Sequence, residues 1–339
     1  MGNAPRKLPD LFIQKLQKII PTSHWDKVLK SFSLEKPCTF RVNNLKASSR
    51  ALKEQLEPEG FKVENVLWYR DAFILRKGTQ RDLEKTAVYE KGEIYIQGLS
   101  SMVPALILDP QPGEKVLDLA AAPGSKTTQL SCLMKNQGSL TANDENPIRL
   151  EKLKANLERQ GVTHVKLLPP GDGGLVWKNR LEAFDRVLLD APCSSEGRFR
   201  ADIPSTYGYW KDDTNRKMAK LQRRLFKSAV LSLKVGGTMV YSTCTFSPEE
   251  NEGVLQWALE TYGDALAVEK ISIPLPTYIQ GLTRWGDLKF DDQVVQSVRI
   301  LPTPDVEGFF AVKLKKVKSV PTPEPWSQSP SRDSDAPNP

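Results

Sequence analysis

The sequence predicts a doubly wound α/β fold with a mostly parallel sheet, preceded by a small α+β domain. Apolar strands and amphipathic helices alternate from Glu114 onward, which is the pattern of a parallel sheet covered by helices on both faces. The first 88 residues instead mix short helices with strands. The chain has 339 residues, 39% of them hydrophobic, which is enough to bury one large core and one small one.

The small N-terminal domain is predicted to cover residues 1–88. Amphipathic periodicity predicts short helices over 8–20 and 24–32 and a third helix over 48–57. The stretches TFRVN and AFILRKG are rich in residues that favour strands. The segment GEIYIQGLSSMVPALIL then leads by a helix into the second domain, predicted to span 89–316.

The second domain is predicted to supply the large sheet. Its strands are predicted, in chain order, at KVLDLA, SLTAND, VKLLP, FDRVLLD and GTMVYSTC. Helices are predicted over 125–135, 147–160, 213–233 and 248–261. Closing strands are predicted at SVRILP and GFFAVKLKK, the latter antiparallel. The tail 317–339 contains six prolines and is predicted to be disordered.

The composition excludes several classes of protein. No stretch of 18 apolar residues occurs, and the start MGNAPRKLPD lacks the apolar run of a secretory signal. We therefore expect a cytoplasmic protein with no membrane partner, and we expect a monomer. No two of the four cysteines are closer than 51 residues, which argues against a metal site and, in the cytoplasm, against a disulfide framework. Cys38 and Cys132 are expected to be small buried side chains.

The positive charge is concentrated in one segment of the sequence. The net charge is +7, and residues 198–234 contain ten Lys or Arg against three acidic residues. Such a run also fits a solvated helix face. The segment however interleaves basic and aromatic side chains, a composition suited to phosphates and unstacked bases, at Arg198, Arg200, Tyr207, Tyr209 and Trp210. Nucleic acid is therefore an expected partner.

The stretch DLAAAPGSKT, residues 118–127, predicts a tight ligand-binding turn between the first strand and a helix. A phosphate-binding P-loop would need glycine where Ala120 and Ser125 stand, and a dinucleotide fingerprint is also absent. The turn therefore suits a ligand without a pyrophosphate, and S-adenosylmethionine is the common one. At later strand ends, Asp144 is placed to hold ribose hydroxyls and Asp172 to accept from an adenine amino group, although single aspartates there also cap helices.

Two thiols are expected at the same edge of the sheet. Asp190 and Cys193 follow the fourth strand and Cys244 follows the fifth, and adjacent strands lie about 5 Å apart. Both cysteines could simply be buried, but they lie past the apolar runs, beside Pro192 or hydroxyl side chains.

A thiol, a methyl donor and a nucleic acid together suggest covalent catalysis on cytosine. A thiolate that adds to C6 of cytosine makes C5 nucleophilic enough to attack a methyl sulfonium. Asp190 is suited to contact N3 and the exocyclic amine of the base. A second thiol, or a water held near it, is suited to remove the C5 proton so that the first thiol can leave.

Three motifs, DLAAAPGSKT, LLDAPCSSEG and VYSTCTFSPEENE, resemble those of the Sun/Nop-type (RsmB-like) RNA cytosine-C5 methyltransferases. The resemblance covers residues 89–316, and TFRVN resembles part of the small N-terminal RNA-binding domain of that family. It implies a class I S-adenosylmethionine-dependent methyltransferase with a Rossmann-like sheet, acting on tRNA or rRNA.

The resemblance also implies roles for individual residues. Cys244 is expected to be the nucleophile and Cys193 to assist release of the product, while Lys126 lies near the target base. Asp190 is expected to contact the cytosine or the methionyl end of the cofactor. The residues implied to bind the cofactor are Asp118, Ala120, Ala121, Ala122, Pro123, Gly124, Ser125, Lys126, Asp144, Arg149, Asp172 and Asp190.

Some alternatives stay open at this point. Ser125 stands where many family members have a second glycine. We also expect the protein to lack the N-terminal extension of RsmB and the C-terminal RNA-binding module of some relatives, which leaves the RNA target undecided. In DNA cytosine-C5 methyltransferases the Pro-Cys cysteine attacks, which would make Cys193 the nucleophile. A catalytically silent RNA-binding or ribosome-assembly protein on the same fold is the alternative function. A small-molecule methyltransferase is disfavoured by the basic segment and the extra N-terminal domain.

Overall fold

The small N-terminal sheet is antiparallel and has the strand order β2-β3-β1-β4. The computed structural model describes residues 8–322 of the chain. The strands of this sheet are β1 (Thr39–Val42), β2 (Lys62–Val66), β3 (Tyr69–Lys77) and β4 (Ile94–Ile96). The helices of this part of the chain are α1 (Asp10–Ile19), α2 (Thr22–Ser31), α3 (Ser49–Leu56), α4 (Gln80–Leu83) and α5 (Ala87–Glu90).

Strand β4 extends the small sheet past residue 88, where the sequence predicted its domain to end. Phe40 on β1 lies opposite Ile96 on β4. Ile94 is 1% exposed and packs in the same core as Phe40 and Phe73. Burial of Ile94 explains why β4 pairs antiparallel with β1 before the chain enters the next helix.

Helices α1 and α2 pack against the large domain. Phe12 on α1 lies with its ring centroid 5.0 Å from that of Phe199 and 6.2 Å from that of Trp210. Phe32, just after α2, lies 6.1 Å from Phe246. The apolar faces predicted for these helices are therefore buried between the two parts of the chain.

The large sheet has the order β11-β14-β15-β9-β8-β5-β6-β7, with β10 paired to β15. Its parallel strands are β5 (Lys115–Asp118), β6 (Ser139–Ala142), β7 (Val165–Leu167), β8 (Phe184–Asp190) and β9 (Leu233–Thr243). Its antiparallel strands are β10 (Leu266–Glu269), β11 (Tyr278–Gln280), β14 (Val298–Ile300) and β15 (Phe309–Lys316). The short hairpin formed by β12 (Arg284–Trp285) and β13 (Leu288–Lys289) lies outside this sheet.

The doubly wound sheet is confirmed, and it is more mixed than the predicted, mostly parallel one. The predicted antiparallel orientation of GFFAVKLKK is correct, because β15 runs against β9 with Phe310 opposite Thr243. The edge of β15 that faces away from β9 pairs antiparallel with two earlier strands, β10 and β14.

The sheet is covered by helices on both faces. The helices are α6 (Leu99–Leu108), α7 (Ser125–Leu133), α8 (Pro147–Gln160), α9 (Asp212–Ser232) and α10 (Glu252–Tyr262). Alternate strand residues serve the two faces: Val187 and Leu189 pack in one core with Phe226 of α9, and Leu188 packs in the other with Met102 of α6. This period of two is what a strand covered on both faces requires.

The strand order reverses at β5, which lies between β6 and β8. The chain first adds β6 and β7 on one side of β5 and then returns to add β8 and β9 on the other. In such sheets, ligands bind beyond the carboxyl ends of the strands at the reversal. Asp118, Ala142, Asp190 and Thr243 end the four strands around this point.

The described part of the predicted disordered tail is attached to the large domain. The Val317 N–H donates to the carbonyl of Ala265 at 2.8 Å, and Val320 is 8% exposed in the core. Burial of Val320 explains why these first residues of the 317–339 tail depart from the predicted disorder. Residues 323–339 lie outside the described part of the chain. Among the described helices, none is long and apolar enough to cross a membrane.

Candidate active site

The turn after β5 brings backbone groups to the edge of the sheet. Gly124 precedes α7 with φ of 109°, a left-handed conformation that favours glycine. A Cβ atom at this position would lie 2.6 Å from Cδ1 of Leu153 on α8. Gly124 therefore allows both the turn and the close approach of the two helices, and Ser125 is the first residue of α7.

A cavity of about 260 Å³ opens beside this turn. It is lined by Leu119, Ala120, Ala122, Asn143, Asp144, Glu145, Arg149, Gly173, Asp190, Ala191, Pro192, Cys193, Ser195, Leu221, Leu225 and Cys244. Asp144 is held in place by the N–H groups of Ala122 at 3.2 Å and Asn146 at 3.1 Å. Arg149 forms an ion pair with Asp144 at 3.2 Å and also donates to the Ala122 carbonyl.

Asp118 is buried at the end of β5 with one oxygen unused. Its Oδ2 accepts a hydrogen bond from Thr127 Oγ1 at 2.8 Å, whereas Oδ1 has no partner among the described residues. Burial raises the pKa of Asp118 to about 7. The residue lines the neighbouring cavity.

Asp172 is not brought together with the other predicted cofactor residues. Its Oδ1 accepts from the Gly174 N–H at 2.9 Å, and its Oδ2 pairs with Arg224 Nη1 at 2.8 Å. Asp172 caps the short helix Gly173–Asn179 and is absent from the cavity lining, although the next residue, Gly173, is part of it. In this structure Asp172 therefore caps a helix, which was the alternative role considered for aspartates at strand ends.

Lys126 and Asp190 form an ion pair in a second cavity of about 400 Å³. Lys126 Nζ lies 2.7 Å from Asp190 Oδ2 and donates to Ser101 Oγ, also at 2.7 Å. Asp190 Oδ1 accepts from Ser242 Oγ at 2.8 Å. Because each group has further partners, the pair is fixed at both ends.

The two cavities share part of their lining. The residues that line both are Ala120, Ala122, Arg149, Asp190 and Cys244. The second cavity is also lined by Arg198, Glu307 and Phe309, and by residues 95–98 of the small domain. The nucleophile candidate Cys244 therefore stands where the two cavities meet.

The predicted pair of thiols is in contact. Cys193 Sγ lies 3.3 Å from Cys244 Sγ, and the Ser195 hydroxyl lies 3.6 Å from Cys244 Sγ. The hydrogen bond from the Cys193 thiol, helped by that of Ser195, holds the pKa of Cys244 below its usual value. Donating this bond, together with burial, raises the pKa of Cys193 well above its usual value. Either sulfur can donate this hydrogen bond, so the contact allows a thiolate at Cys244 held by the Cys193 thiol.

A buried carboxyl group that the sequence analysis missed supports both cysteine loops. Glu250 accepts hydrogen bonds from the Ser194 N–H at 3.0 Å, the Ser194 hydroxyl at 2.5 Å, Asn215 at 2.9 Å and Gln222 at 2.8 Å. Burial raises its pKa to about 7. The signal was present in the motif VYSTCTFSPEENE, but nothing in the sequence showed that Glu250 faces Ser194.

Several residues that line the larger cavity were not predicted as site residues from the sequence. Arg198 was predicted only as part of the basic segment, and Ser101, Glu307, Phe309 and residues 95–98 were not predicted at all. Of the remaining cysteines, Cys132 contacts Asn43 at 3.3 Å and Cys38 lies against the core of the small domain, both partly buried and both away from the cavities.

Comparison with known proteins identifies the two parts of the chain. The family model for 16S rRNA methyltransferase RsmB/F matches residues 105–315, and that for the N-terminal domain of 16S rRNA methyltransferase RsmF matches residues 8–98. Ribosomal RNA small subunit methyltransferase F of Escherichia coli K12 is 37% identical over 318 residues, which cover 92% of this chain and 64% of that protein. The protein of that name from Shigella sonnei matches equally.

Solved structures share the architecture. A methyltransferase homologue from Pyrococcus horikoshii is 33% identical and superposes with a TM-score of 0.75, over 91% of this chain and 100% of that one. NSun6 from Pyrococcus horikoshii, whose structure was determined with SFG, has a TM-score of 0.78 over 93% of this chain and 100% of that one. At 24% identity this second likeness concerns the fold alone.

The reversal of strand order at β5 and the cavities beyond the strand ends define a class I methyltransferase fold. More particularly, this chain belongs to the RsmB/F family of 16S rRNA methyltransferases. The resemblance inferred from the three motifs is thereby confirmed. The chain spans 64% of the length of the curated relatives it matches.

Proposed function

We propose that this protein transfers a methyl group from S-adenosylmethionine to C5 of a cytosine in RNA, through a covalent bond between Cys244 and C6 of the base. The observation that carries the proposal is the pair of thiols 3.3 Å apart, at the junction of two cavities and beside the Lys126–Asp190 pair. The turn after β5, which adjoins both cavities, suits the cofactor, and the side of the larger cavity that carries Lys126 and Asp190 suits the base, so both reactants meet beside Cys244.

The turn after β5 and the aspartates beside it adjoin both cavities and fit S-adenosylmethionine. When bound, the cofactor supplies an electrophilic methyl group on a sulfonium. Asp118 has a buried, unpartnered oxygen suited to an ammonium group, and Asp144 offers a carboxylate suited to ribose hydroxyls. Ala120 to Gly124 are small enough to let a ligand approach the backbone. Arg149 occupies one oxygen of Asp144 and has to yield it to the ribose.

Asp172 fits the adenine of the cofactor less well than Asp118 fits its ammonium group and Asp144 its ribose. Its two oxygens are taken by the Gly174 N–H and Arg224, and it reaches the cavity only by leaving them. We therefore keep the adenine amino group as its proposed partner on condition that Arg224 is displaced.

The first step is nucleophilic attack by Cys244. Its thiolate adds to C6, and the electron pair of the C5=C6 bond becomes available at C5, while negative charge spreads over the ring towards N3 and O2. The Lys126 ammonium is suited to stabilise that charge, and Asp190, on the same cavity wall, to accept a hydrogen bond from the exocyclic amine next to N3. C5 would then accept the methyl group, whose bond to the sulfonium sulfur breaks with the electron pair left on sulfur.

The second step is elimination. A water held near Cys193 takes the proton from C5, the C5=C6 bond forms again and the bond between C6 and Cys244 breaks, with its electron pair returning to sulfur. The Cys193 thiol lies 3.3 Å from Cys244 and is suited to give its hydrogen bond to the departing thiolate. Cys244 lines both cavities whereas Cys193 lines only the smaller one, which favours these roles over the reverse assignment, in which Cys193 attacks.

We infer that the substrate is a cytosine in ribosomal RNA of the small subunit, because the matched relatives are named for that RNA. The cytosine must be unpaired or pulled from its stack, since C6 is otherwise out of reach of a thiol. A cytoplasmic location follows if ribosomal RNA is the substrate, and tRNA is the alternative that the resemblance leaves open.

Labelling tests this function. The protein is incubated with radiolabelled S-adenosylmethionine and total RNA from a strain that lacks its gene, and methylated cytosines are mapped by bisulfite sequencing. We expect label at one cytosine, lost in Cys244→Ala. Absence of label in every RNA, with RNA still bound, would instead support the silent RNA-binding or ribosome-assembly protein.

A further inference from the structure

The motif TFRVN places a fully buried arginine at the contact between the small domain and the active site. Arg41 on β1 is 0% exposed. Its Nη2 donates to Thr128 Oγ1 at 2.5 Å and to the carbonyl of Ser125 at 3.2 Å, and its Nε donates to Gln97 Oε1 at 2.9 Å. The guanidinium carbon lies 5.1 Å from the centre of the Tyr95 ring. Arg41 therefore joins β1 and the segment after β4 to the first turn of α7.

The acceptors of Arg41 are all neutral. Within residues 8–322, no carboxylate forms an ion pair with it. A buried charge without a counter-ion costs free energy, which good hydrogen bonds repay only in part. A neutral side chain could fill the space between the two domains with a smaller free-energy penalty. The guanidinium is therefore better explained by the geometry that its rigid fork of donors imposes on its partners.

Two chains of contacts lead from Arg41 to Lys126. The Ser125 carbonyl that accepts from Arg41 belongs to the peptide group joining Ser125 to Lys126, so this bond fixes the backbone. Along the other chain, Gln97 Nε2 donates to the Ser101 carbonyl at 3.0 Å, and Ser101 Oγ accepts from Lys126 Nζ at 2.7 Å. The backbone and the ammonium group of Lys126 are thus both tied to Arg41.

We propose that Arg41 is a positioning residue for RNA methylation, which holds Lys126 in place against Asp190 from the small domain. The inference rests on the proposed function of Lys126. Lysine has a flexible four-carbon stem, and a displacement of about 1 Å in a reacting group can cost a hundredfold in rate. The small domain then contributes to the chemical step in addition to any contact with RNA.

The test compares kcat, the KM for RNA and the rate of covalent trapping in matched variants. Arg41→Met removes the fork, and Arg41→Lys keeps a cation but cannot reach all four acceptors, which include Cys132 Sγ at 3.6 Å from Nη1. The matched control is Asn43→Ala on the same strand. Asn43 donates to the carbonyls of Gly92 and Gln160, both at 2.8 Å, so its loss weakens the same domain contact without touching Ser125, Gln97 or Lys126. The substrate is a transcript carrying the labelled cytosine, with a 5-fluorocytosine version for trapping.

We expect Arg41→Met to lower kcat and the trapping rate by about tenfold or more, with the KM for RNA changed less than about threefold. Arg41→Lys should be intermediate, and it decides the question if Arg41→Met does not fold. Asn43→Ala should keep the wild-type kcat. A kcat for both Arg41 variants equal to that of Asn43→Ala, or a rise in KM alone, would overturn the inference.

Hydrogen exchange separates this inference from the proposed function. In Arg41→Met the backbone amides of residues 125–130 should exchange faster than in Asn43→Ala, whatever the reaction of the protein is. If wild-type protein methylates no RNA, the proposed function fails, and unchanged exchange in Arg41→Met and Arg41→Lys would refute the positioning of Lys126 as well.

Discussion

Asp118 is a carboxyl group that is costly for the fold to keep ionised. It is 1% exposed, its Oδ1 has no partner among the described residues, and its folded pKa is about 7 against an ordinary value of 3.8. Between these pKa values the folded state holds a proton that the unfolded state has lost. Stability therefore falls as the pH rises from about 4 to about 7, and the full cost persists above pH 7.

Asp118→Asn should remove this contribution. We expect the variant to gain up to about 4 kcal/mol of unfolding free energy at pH 8 and little at pH 4. Because the pKa of Glu250 is also raised to about 7, part of the fall in stability should remain. Urea unfolding of both proteins at several pH values measures the difference, and equal gains at every pH would contradict the explanation.

The same substitution should weaken binding of S-adenosylmethionine. An amide oxygen is a poorer acceptor for an ammonium group than a carboxylate. Calorimetric titration measures the loss, with Asp71→Asn, outside both cavity linings, as a control. A variant that becomes more stable and also binds the cofactor as well as wild type would remove Asp118 from the proposed site.

At the scale of elements, two loops that carry the cysteines are held together by a close backbone contact. The Gly197 N–H donates to the Cys244 carbonyl at 2.9 Å. A Cβ atom on Gly197 would lie 2.1 Å from the carbonyl oxygen of Gly308. Only glycine fits at this position, because the atoms around it are backbone atoms that cannot rotate away.

Gly197→Ala should therefore separate the two cysteine loops. We expect the rate of RNA methylation to fall by about tenfold or more, since Cys193 and Cys244 lose their contact. Gly171→Ala serves as the control, because its Cβ would meet the Pro169 carbonyl at 3.5 Å, an ordinary contact. Methylation rates of the two variants are compared, and equal rates would show that the contact at Gly197 is dispensable.

Helices and strands could be predicted from the sequence where a local pattern of apolar and polar residues determines their bounds. FDRVLLD predicted β8 with its observed bounds, because the strand is an apolar run that ends at Asp190. The helix predicted over 248–261 begins only at Glu252, because Ser247 and Asn251 make a turn that aims Glu250 at the cysteine loop. That turn depends on partners far away in sequence, which no local pattern contains.

For the candidate active site as well, only the part that depends on strand order could be predicted from the sequence. The strand ends predicted Asp190, Cys193 and Cys244 in one place, since the order of parallel strands brings them there. Contacts between the two domains, such as those of Arg41 and Gln97, depend on how the small sheet packs on α7, and no sequence pattern indicates that packing.

Basic residues of α9 form an exposed strip suited to RNA. Arg216, Lys220 and Arg223 are exposed, and their spacing puts them on one face of the helix. The guanidinium of Arg223 lies 5.8 Å from the centre of the Trp257 ring. We propose that this strip contacts the RNA backbone outside the target cytosine.

Replacing the three strip residues by glutamine should weaken RNA binding and reduce its salt dependence. Each lost phosphate contact lowers the slope of log K against log salt by about 0.7 for a single strand. The control replaces Lys313, Lys315 and Lys318 by glutamine and so removes the same amount of positive charge. These lysines lie in the carboxyl-terminal half of β15 or just after it, whereas the pairing of Phe310 with Thr243 lies at the other end of that strand. Filter binding at several salt concentrations decides, and equal slopes in the two triple variants would place the RNA elsewhere.

The central claim is that Cys244 attacks the base while Cys193 helps it to leave. It is tested most directly by trapping with RNA that contains 5-fluorocytosine, in the presence of S-adenosylmethionine, because the fluorine at C5 prevents elimination and preserves the adduct. We predict a protein–RNA adduct on a denaturing gel for wild type and for Cys193→Ala, and none for Cys244→Ala. An adduct that persists in Cys244→Ala and disappears in Cys193→Ala would contradict the assignment.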